Sequence, residues 1–446
     1  MRHTMTFATR LTAAAAGLAL ALAGCGGSST SPGGGATTTP AGVSLPDLTG
    51  QKLEVAAVWT GAEQAGIAAV LDAFSAKTHA TVKYTATGDD IATVLGTRIK
   101  GGQPPDVAFL PQPGLLNELA SDGSLKPVDA DVAAAVDANY APIWKTLGTV
   151  KGTLYGVWFK AANKSTVWYR TAAFDQAGVQ PPASWDDLLK GAQTIADSGT
   201  TPVSVGGADG WTLTDWFENV YLRSAGPAKY DQLAKHQIPW TDASVKTALG
   251  VLAQLWGKKG LVVPGALQTD FPTSVTQVFS ASPKGAIVFE GDFVAGVIAS
   301  ETKAKVGTDA NFFDFPSVNG SPASVVGGGD VATALKSSPG AQALLRFLAS
   351  PEAATIWAKR GGYTSVNKNV DLAAYPDDTS RKIAKALVGS GDAFRFDMSD
   401  LAPAGFGGTP GGGEWKILQD FLANPTNVDG TATKLEAAAS AVKFPT

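Results

Sequence analysis

An early stretch of the chain alternates short apolar runs with longer segments in which apolar residues recur at helical spacing. The runs at residues 53–59, 82–84 and 106–110 have the length and composition of β-strands. Between them, residues 67–74 and 91–99 carry apolar side chains at the three- and four-residue spacing of one helix face. Because parallel strands are joined by crossover helices, this order predicts a parallel sheet with helices on its faces.

A second region of alternating strands and helices follows the first. Three of its helix starts carry a capping serine, Ser184, Ser338 and Ser350, and the last two are followed by a proline at the first helical position. The predicted strands are residues 156–159, 166–169, 203–205 and 285–290. The predicted helices are residues 188–195, 213–222 and 245–256, and those that follow Ser338 and Ser350. A body of about 400 residues is larger than one core usually supports, so we expect two domains.

The N-terminus has the layout of an export signal. Arg2 and Arg10 precede an apolar segment, residues 11–23, which is too short to cross a hydrocarbon core of about 30 Å. The sequence LAGC that ends at Cys25 resembles the lipobox at which bacteria cleave and acylate lipoproteins. We therefore predict that residues 1–24 are a lipoprotein signal peptide and that Cys25 is lipidated; an ordinary secretory peptide is the alternative.

The segment after Cys25 has the composition of a linker. Residues 26–46 are almost entirely Gly, Ser, Thr, Pro and Ala, which bury too little surface to offset the entropy of ordering. We assign residues 25–47 as the acylated cysteine and a flexible linker. With one cysteine and three histidines in the chain, we expect no internal disulfide, no metal and no cofactor. The net charge of −4 gives no basic surface for nucleic acid.

Five segments, taken in order, carry a resemblance to a known family. They are residues 58–74, 104–110, 209–222, 285–296 and 327–335. Together they resemble the extracellular solute-binding proteins of bacterial ABC importers, family 1, in particular the carbohydrate-binding group related to maltose- and α-glucoside-binding proteins. Each match alone is weak, whereas their order and their company with a lipobox are specific.

The resemblance implies an α/β fold of the two-lobed, type II periplasmic-binding-protein kind, with a hinge and a ligand cleft between the lobes. The chain would cross between the lobes near Trp158, Lys305 and Glu352. The expected boundaries are residues 48–157 and 305–352 for lobe 1, and residues 158–304 and 353–446 for lobe 2.

The resemblance also implies a function. We expect a lipid-anchored, monomeric substrate-binding component of an ABC transporter on the outer face of the cell membrane. It would capture an oligosaccharide or α-glucoside in the cleft, without enzymatic activity, and deliver it to the permease subunits. Closure of the lobes on the ligand is the motion that the permease would recognise.

Aromatic and acidic residues near the ends of strands supply the candidate site. A sugar offers an apolar face for stacking and hydroxyl groups for hydrogen bonds, so its site needs aromatic rings and carboxylates or amides. By resemblance, the turn after the first strand, the segment at 209–218, the loop at 290–293 and the glycine-rich segment at 327–330 face the cleft. The candidate ligand-binding residues are Trp59, Glu63, Trp158, Asn163, Trp211, Asp215, Trp216, Glu290, Asp292, Phe293, Asp330 and Trp415.

Two of these expectations differ from the family pattern or stay open. Phe293 stands where the family often has tryptophan. The three glycines before Asp330 lack the lysine and hydroxyl residue of a phosphate loop, so they indicate either close backbone approach to a ligand or a turn. Lys160 is the basic residue expected near the cleft, and the acidic candidates favour a neutral, hydroxylated ligand over an anion.

Two alternative functions remain at this point. The first keeps a binding protein but changes the ligand to a polyol, an osmolyte or a peptide, since the tryptophans would also suit a cage for a cation. The second is a secreted glycoside hydrolase, because Glu63, Asp215, Glu290, Asp292 and Asp330 would provide pairs of carboxylates.

Overall fold

The computed structural model describes residues 43–444. The predicted signal peptide, Cys25 and most of the predicted linker lie outside the described residues. Within residues 43–444, the helices are all too short or too polar to cross a membrane.

The described residues form thirteen strands and nineteen α-helices. The strands are β1 (Lys52–Ala57), β2 (Thr81–Ala86), β3 (Val107–Leu110), β4 (Thr149–Val150), β5 (Thr153–Leu154), β6 (Gly156–Asn163), β7 (Thr166–Arg170), β8 (Thr201–Ser204), β9 (Gly285–Phe289), β10 (Ala310–Asp314), β11 (Val325–Ala334), β12 (Thr364–Ser365) and β13 (Phe394–Phe396).

The helices of the first half are α1 (Gly61–Thr78), α2 (Ile91–Lys100), α3 (Pro113–Ser121), α4 (Ala130–Asn139), α5 (Pro142–Leu147), α6 (Thr171–Ala177), α7 (Trp185–Asp197), α8 (Trp211–Ala225) and α9 (Pro227–Ala234). Those of the second half are α10 (Ala243–Trp256), α11 (Phe271–Phe279), α12 (Val294–Glu301), α13 (Pro339–Leu348), α14 (Pro351–Ala358), α15 (Asp378–Gly389), α16 (Met398–Leu401), α17 (Ala404–Gly407), α18 (Gly413–Ala423) and α19 (Val428–Ser440). Single 3-10 turns lie at Gly88–Asp90, Ala266–Gln268, Leu372–Ala374 and Gly391–Ala393.

A seven-stranded sheet forms the first of two α/β layers. Its order is β12-β6-β11-β3-β1-β2, with β13 paired to β11. β1 runs parallel to β2 and β3, as the alternation of strands and helices predicts, whereas β11 runs antiparallel to β3 and β6. We call this sheet with α1–α5 and α13–α15 the first lobe.

A four-stranded sheet of order β10-β7-β9-β8 forms the second layer. β8 and β9 are parallel, and β7 lies antiparallel between β9 and β10. We call this sheet with α6–α12 and α16–α19 the second lobe. Two separate hydrophobic cores, one under each sheet, account for most of the buried apolar side chains of the two lobes.

The helix stripes of the sequence bury the faces that their spacing predicts. In α1, Ile67, Val70 and Phe74 are fully buried in the first core, as the three- and four-residue spacing requires. In the second lobe, α7 begins at an N-cap, Ser184, whose hydroxyl accepts a hydrogen bond from the backbone N–H of Asp187.

The chain passes between the two sheets at points that differ from the expected ones. It leaves the large sheet after β6 and enters the small sheet through Lys164 and Ser165, and it returns through residues 315–324. Trp158 instead lies inside β6, and Lys305 precedes β10. β6 continues past Trp158 because it pairs with β11 in the large sheet. β10 follows Lys305 because it pairs with β7 in the small sheet.

The last crossing lies later in the chain than Glu352. Glu352 belongs to α14, and its side chain pairs with Lys77 of α1 at 2.9 Å, within the first lobe. The chain enters the second lobe only after β13, where Met398 of α16 joins the second core.

The two ends of the described chain pack on different lobes. Val43 and Leu45 lie against the first core and Leu48 is buried in it. At the other end, the apolar face of α19 is buried in the second core, through Leu435 and Ala439.

Candidate ligand-binding site

A cavity of about 360 Å³ lies between the lobes. The first lobe contributes Trp59, from the turn after β1, and Glu63, from the first turn of α1. The second lobe contributes Trp211 and Phe293, from the start of α8 and the loop before α12. The volume falls within the range of small-molecule sites, and its polar and aromatic walls come from both lobes.

Lys160, in the middle of β6, organises one wall of the cavity. Its ammonium nitrogen lies 2.5 Å from Oε1 of Glu63 and 3.9 Å from Oδ2 of Asp330. It also lies 5.8 Å from the ring centroid of Trp59 and 5.1 Å from that of Phe293. We call these five residues the Lys160 cluster. Although burial opposes the charge, Glu63 and Asp330 raise the pKa of Lys160, so the ammonium stays protonated.

Lys164, at the first crossing between the sheets, forms a second charged centre. Its ammonium nitrogen lies 2.5 Å from Oδ2 of Asp397, 3.2 Å from Oδ1 of Asp215 and 3.4 Å from Oδ2 of Asp400. These three carboxylates come from α8 and from the segment after β13. The ion pairs of Lys164 therefore connect two of the segments that join the lobes, the crossing after β6 and the crossing after β13.

Further buried carboxyl groups surround this centre. Glu290 and Glu414 are nearly inaccessible, and neither carboxyl has a hydrogen-bond partner among the described residues. Burial raises the pKa of Glu290 to about 8, and burial raises the pKa of Glu414 well above its ordinary value. Burial therefore favours the protonated form of both carboxyl groups, while the ammonium of Lys164 holds the pKa of Asp397 below its usual range despite its burial.

Two further carboxyl groups face each other across the cavity. Asp89 follows β2 in the first lobe, and Asp209 precedes α8 in the second, where it accepts a hydrogen bond of 2.6 Å from the backbone N–H of Phe271. Burial, reinforced by the charge of Asp209, raises the pKa of Asp89 to about 7, and burial raises that of Asp209 to about 6. Near neutral pH this pair provides both a donor and an acceptor for ligand hydroxyls.

Two buried polar side chains at the cavity have free hydrogen-bonding atoms. Oε1 of Gln112, before α3, and Nε1 of Trp415, in α18, have no partner among the described residues. One is an acceptor and the other a donor, and both residues are at least nine-tenths buried. Buried polar atoms are rarely left unpaired, so a ligand or water is expected to bond them.

Half of the residues predicted from the sequence lie at this cavity. They are Trp59, Glu63, Trp211, Phe293, Asp330 and Trp415. Trp59 is a special case, because its ring packs against Phe109 and Trp357 and is only 2% exposed. It forms the floor behind Lys160 rather than an open stacking surface.

The structure places two predicted tryptophans in the cores instead. Trp158 packs against the rings of Trp144 and Phe396 in the first lobe. Trp216 is surrounded by Phe289 and other rings of the second core. Both are about 1% exposed, so neither offers a surface to a ligand.

Four predicted polar residues lie behind the cavity wall. Asn163 accepts a hydrogen bond of 3.0 Å from the backbone N–H of Ser165, which fixes the first crossing. Asp215 is fully buried against Lys164, and Asp292 accepts a hydrogen bond from Thr364. Together with Glu290, these residues support the wall and the crossings and do not line the cavity.

Sequence reasoning missed several residues of the wall. They are Asp89, Gln112, Lys164, Asp209, Phe271 and Asp400. One signal was available for Lys164, since a lysine between two apolar strands needs a buried partner. The others lie in turns or at the ends of short helices, whose direction depends on contacts between distant segments.

The glycines before Asp330 form neither a turn nor a loop. Gly327–Gly329 lie within β11, the central strand between β6 and β3. A Cβ atom on Gly328 would lie 2.8 Å from Cε of Lys164, and one on Gly329 would lie 2.5 Å from the carbonyl oxygen of Lys160. The missing side chains give both lysines their place in the wall.

Comparisons with known proteins agree with this architecture. A family model for the bacterial extracellular solute-binding proteins matches residues 59–355. Among solved structures, the bacterial solute receptor AcbH superposes with a TM-score of 0.77 at 20% identity, over 88% of this chain and 99% of AcbH. The two-lobed, type II fold is thereby established.

Two curated relatives are similar over most of their length. The osmoprotective compounds-binding protein GgtB of Synechocystis sp. is 32% identical over 392 residues, 85% of this chain and 90% of GgtB. The α-glucosides-binding periplasmic protein AglE of Rhizobium meliloti is 33% identical over 406 residues, 86% of each chain. The chain therefore belongs to the family of bacterial extracellular solute-binding proteins. Membership implies a location outside the cytoplasm.

Proposed function

We propose that this protein is the solute receptor of an ABC importer and binds an oligosaccharide or α-glucoside in the cavity between its lobes. The observation that carries the proposal is the mixture of groups in the wall. The aromatic rings of Trp211, Phe271 and Phe293 line the same cavity as the carboxyl groups of Asp209 and Asp330. Rings suit the apolar face of a sugar, and carboxyl groups suit its hydroxyls.

The test is a calorimetric titration of the purified chain with maltose, trehalose, sucrose and raffinose. We expect micromolar binding to one of these sugars or to a closely related glucoside. Small-angle scattering of the same samples should show a smaller radius of gyration with the bound sugar, because the lobes close on it. Absence of heat from every sugar, combined with heat from glycine betaine, would overturn the proposal.

A second candidate ligand is a neutral osmolyte such as a polyol or a glycosylated polyol. The similarity to GgtB, whose name states osmoprotective compounds, favours it. The cavity's hydroxyl-binding groups suit either ligand, so the same titration should include glycerol, sorbitol and a glucosylated glycerol. Tighter binding of these than of any disaccharide would make the osmolyte the ligand.

The proposed role involves binding without hydrolysis. The matched relatives are named as binding proteins, and Glu290, Asp215 and Asp292 lie behind the wall, away from a ligand. We expect no release of nitrophenol from aryl glycosides above the rate in buffer. Sustained release that scales with protein concentration would support the hydrolase alternative.

The proposed receptor is a monomer that acyl groups on Cys25 hold at the outer face of the cell membrane. It delivers its ligand to two permease subunits. The sequence around Cys25 supports the anchor. We expect Cys25→Ala to release the protein from the membrane fraction with its sugar affinity unchanged. Retention of the variant in membranes would refute the lipid anchor.

A further inference from the structure

The Lys160 cluster has the composition of a receptor for an organic cation. Two aromatic rings and two carboxylates converge on one point, and the rings lie 5.8 and 5.1 Å from the nitrogen at that point. Cations bind over aromatic faces within about 6 Å of the centroid, and quaternary ammonium ligands are held in such cages. Here the cation is the protein's own ammonium group, carried by β6.

The ammonium of Lys160 is held in this place by its backbone and its partners. Lys160 on β6 stands opposite Asp330 on β11 in the antiparallel pair, and the side chain of Lys160 is only 5% exposed. An external cation in this place would separate the buried ammonium of Lys160 from Glu63 and Asp330. Because a buried charge that loses its partners is strongly destabilising, an external cation cannot easily replace Lys160.

We infer that Lys160 determines specificity: it fills the aromatic and acidic cage of the cleft, excludes quaternary ammonium solutes and leaves the site to neutral hydroxylated ones. This inference rests on the proposed function and extends it to the residue that distinguishes neutral hydroxylated ligands from quaternary ammonium ligands. An ammonium group has three N–H donors, of which Glu63 accepts one. The remaining donors are available to ligand hydroxyls, so the residue that excludes one class of solute also binds the other.

The experiment compares the wild-type protein with Lys160→Met and Lys160→Arg. Each is titrated by calorimetry with the sugar that the wild type binds and with choline, at constant ionic strength. Methionine is one atom shorter than lysine and carries no charge, so we expect at least about tenfold weaker sugar binding and new binding of choline. Arginine keeps the charge, so K160R should still reject choline.

A matched control uses a lysine outside the cavity. Lys83 on β2 pairs with Glu54 at 3.4 Å, and its side chain is 72% exposed. Lys83→Met should bind the sugar as the wild type does and give no heat with choline. Near-ultraviolet circular dichroism establishes that each variant is folded before it is titrated.

The wild type provides a test that does not depend on the variants. Choline in large excess should fail to displace the bound sugar, and displacement would overturn the inference even if K160M does not fold. A folded K160M that loses sugar affinity but gains none for choline would also overturn it, because Lys160 would then be a sugar contact alone.

The outcomes separate this inference from the proposed function. A wild type that binds sugar and choline with similar affinity would refute the role of Lys160 and leave the proposed function intact. A wild type that binds choline and no neutral solute would refute both.

Discussion

At the scale of single residues, Glu54 on β1 has an unusually complete set of partners for a side chain that is 20% exposed. Its carboxylate accepts two hydrogen bonds from the guanidinium of Arg98, at 2.9 and 2.7 Å, and one from the hydroxyl of Thr85 at 2.8 Å. The hydrogen bonds from Arg98, more than any other contact, lower the pKa of Glu54 to about 2. The charge on this residue therefore contributes to stability at neutral pH.

We expect Glu54→Gln to lower the free energy of unfolding by about 1–2 kcal/mol at pH 7, since it removes charge-assisted hydrogen bonds. The folded-state pKa lies below the ordinary 4.5, so this contribution is complete above pH 4.5 and is lost as the pH falls towards about 2. Urea unfolding at pH 7 and at lower pH measures the difference between the two proteins, which should shrink with acidity.

An exposed ion pair serves as the control for Glu54. Lys145 and Asp137 lie 2.6 Å apart, but their side chains are 43% and 57% exposed. Asp137→Asn should change stability by less than about 0.5 kcal/mol, because water screens the pair. An effect of Glu54→Gln that is equally small, or one that does not vary with pH, would contradict the role given to Arg98.

The roles of individual tryptophans could be predicted only in part from the sequence. Trp59 and Trp158 both belong to apolar segments near strand ends, and their spacing gives no means to distinguish them. Trp158 is enclosed by Trp144 and Phe396, which lie on other segments and reach it only in the folded chain. Trp211 stays at the cavity because the rings beside it, Phe271 and Phe293, line the same wall.

At the scale of elements, the contact between α1 and α14 requires a glycine. A Cβ atom on Gly66 of α1 would lie 2.3 Å from the indole of Trp357 of α14. Trp357 is 1% exposed and packs against Trp59 and Tyr363, so it has no room to move away. The close approach of the two helices thus depends on the absence of one methyl group.

We expect Gly66→Ala to destabilise the protein by about 1–3 kcal/mol, because the added methyl overpacks the first core. Gly96 in α2 is a matched control, since no atom lies within 4 Å of a Cβ placed there. Gly96→Ala should stabilise the protein by about 0.5–1 kcal/mol through helix propensity alone. Thermal unfolding of both variants measures the contrast, and equal shifts of the same sign would be inconsistent with the packing argument.

Elements with a regular pattern were predictable and those without one were not. The alternation from β1 to β3 was correctly predicted, because each strand and helix carries its own apolar period. β11 was missed, because three consecutive glycines are typical of a turn and its pairing with β6 involves residues far away in the sequence. The short strands β12 and β13 have too few residues to show any period.

At the scale of the whole molecule, the carboxyl groups around Lys164 couple stability to pH. Glu290 is 1% exposed, and burial raises its pKa from 4.5 to about 8. In the unfolded chain it ionises above pH 4.5, whereas in the folded protein it keeps its proton. The folded state therefore loses stability progressively as the pH rises from 4.5 to about 8.

Glu290→Gln replaces this ionisable carboxyl group by an amide and preserves the size of the side chain. We expect the variant to be more stable than the wild type by about 1–3 kcal/mol at pH 8 and to differ little near pH 4.5. Urea unfolding across this pH range provides the measurement. Glu352→Gln, at the half-exposed ion pair with Lys77, should follow the wild-type profile; a parallel profile for Glu290→Gln would mean that Glu290 does not carry the buried proton.

The attachment of the two chain ends to different lobes has a practical consequence. Leu48 is buried in the first core, and Leu435 of α19 is buried in the second. Fluorescent proteins fused at the two ends would therefore be carried by separate bodies. Any rotation of one lobe against the other would alter the energy transfer between the two fluorophores. Such a fusion would therefore be an optical sensor for the bound solute, with no fluorescent protein inserted into the chain.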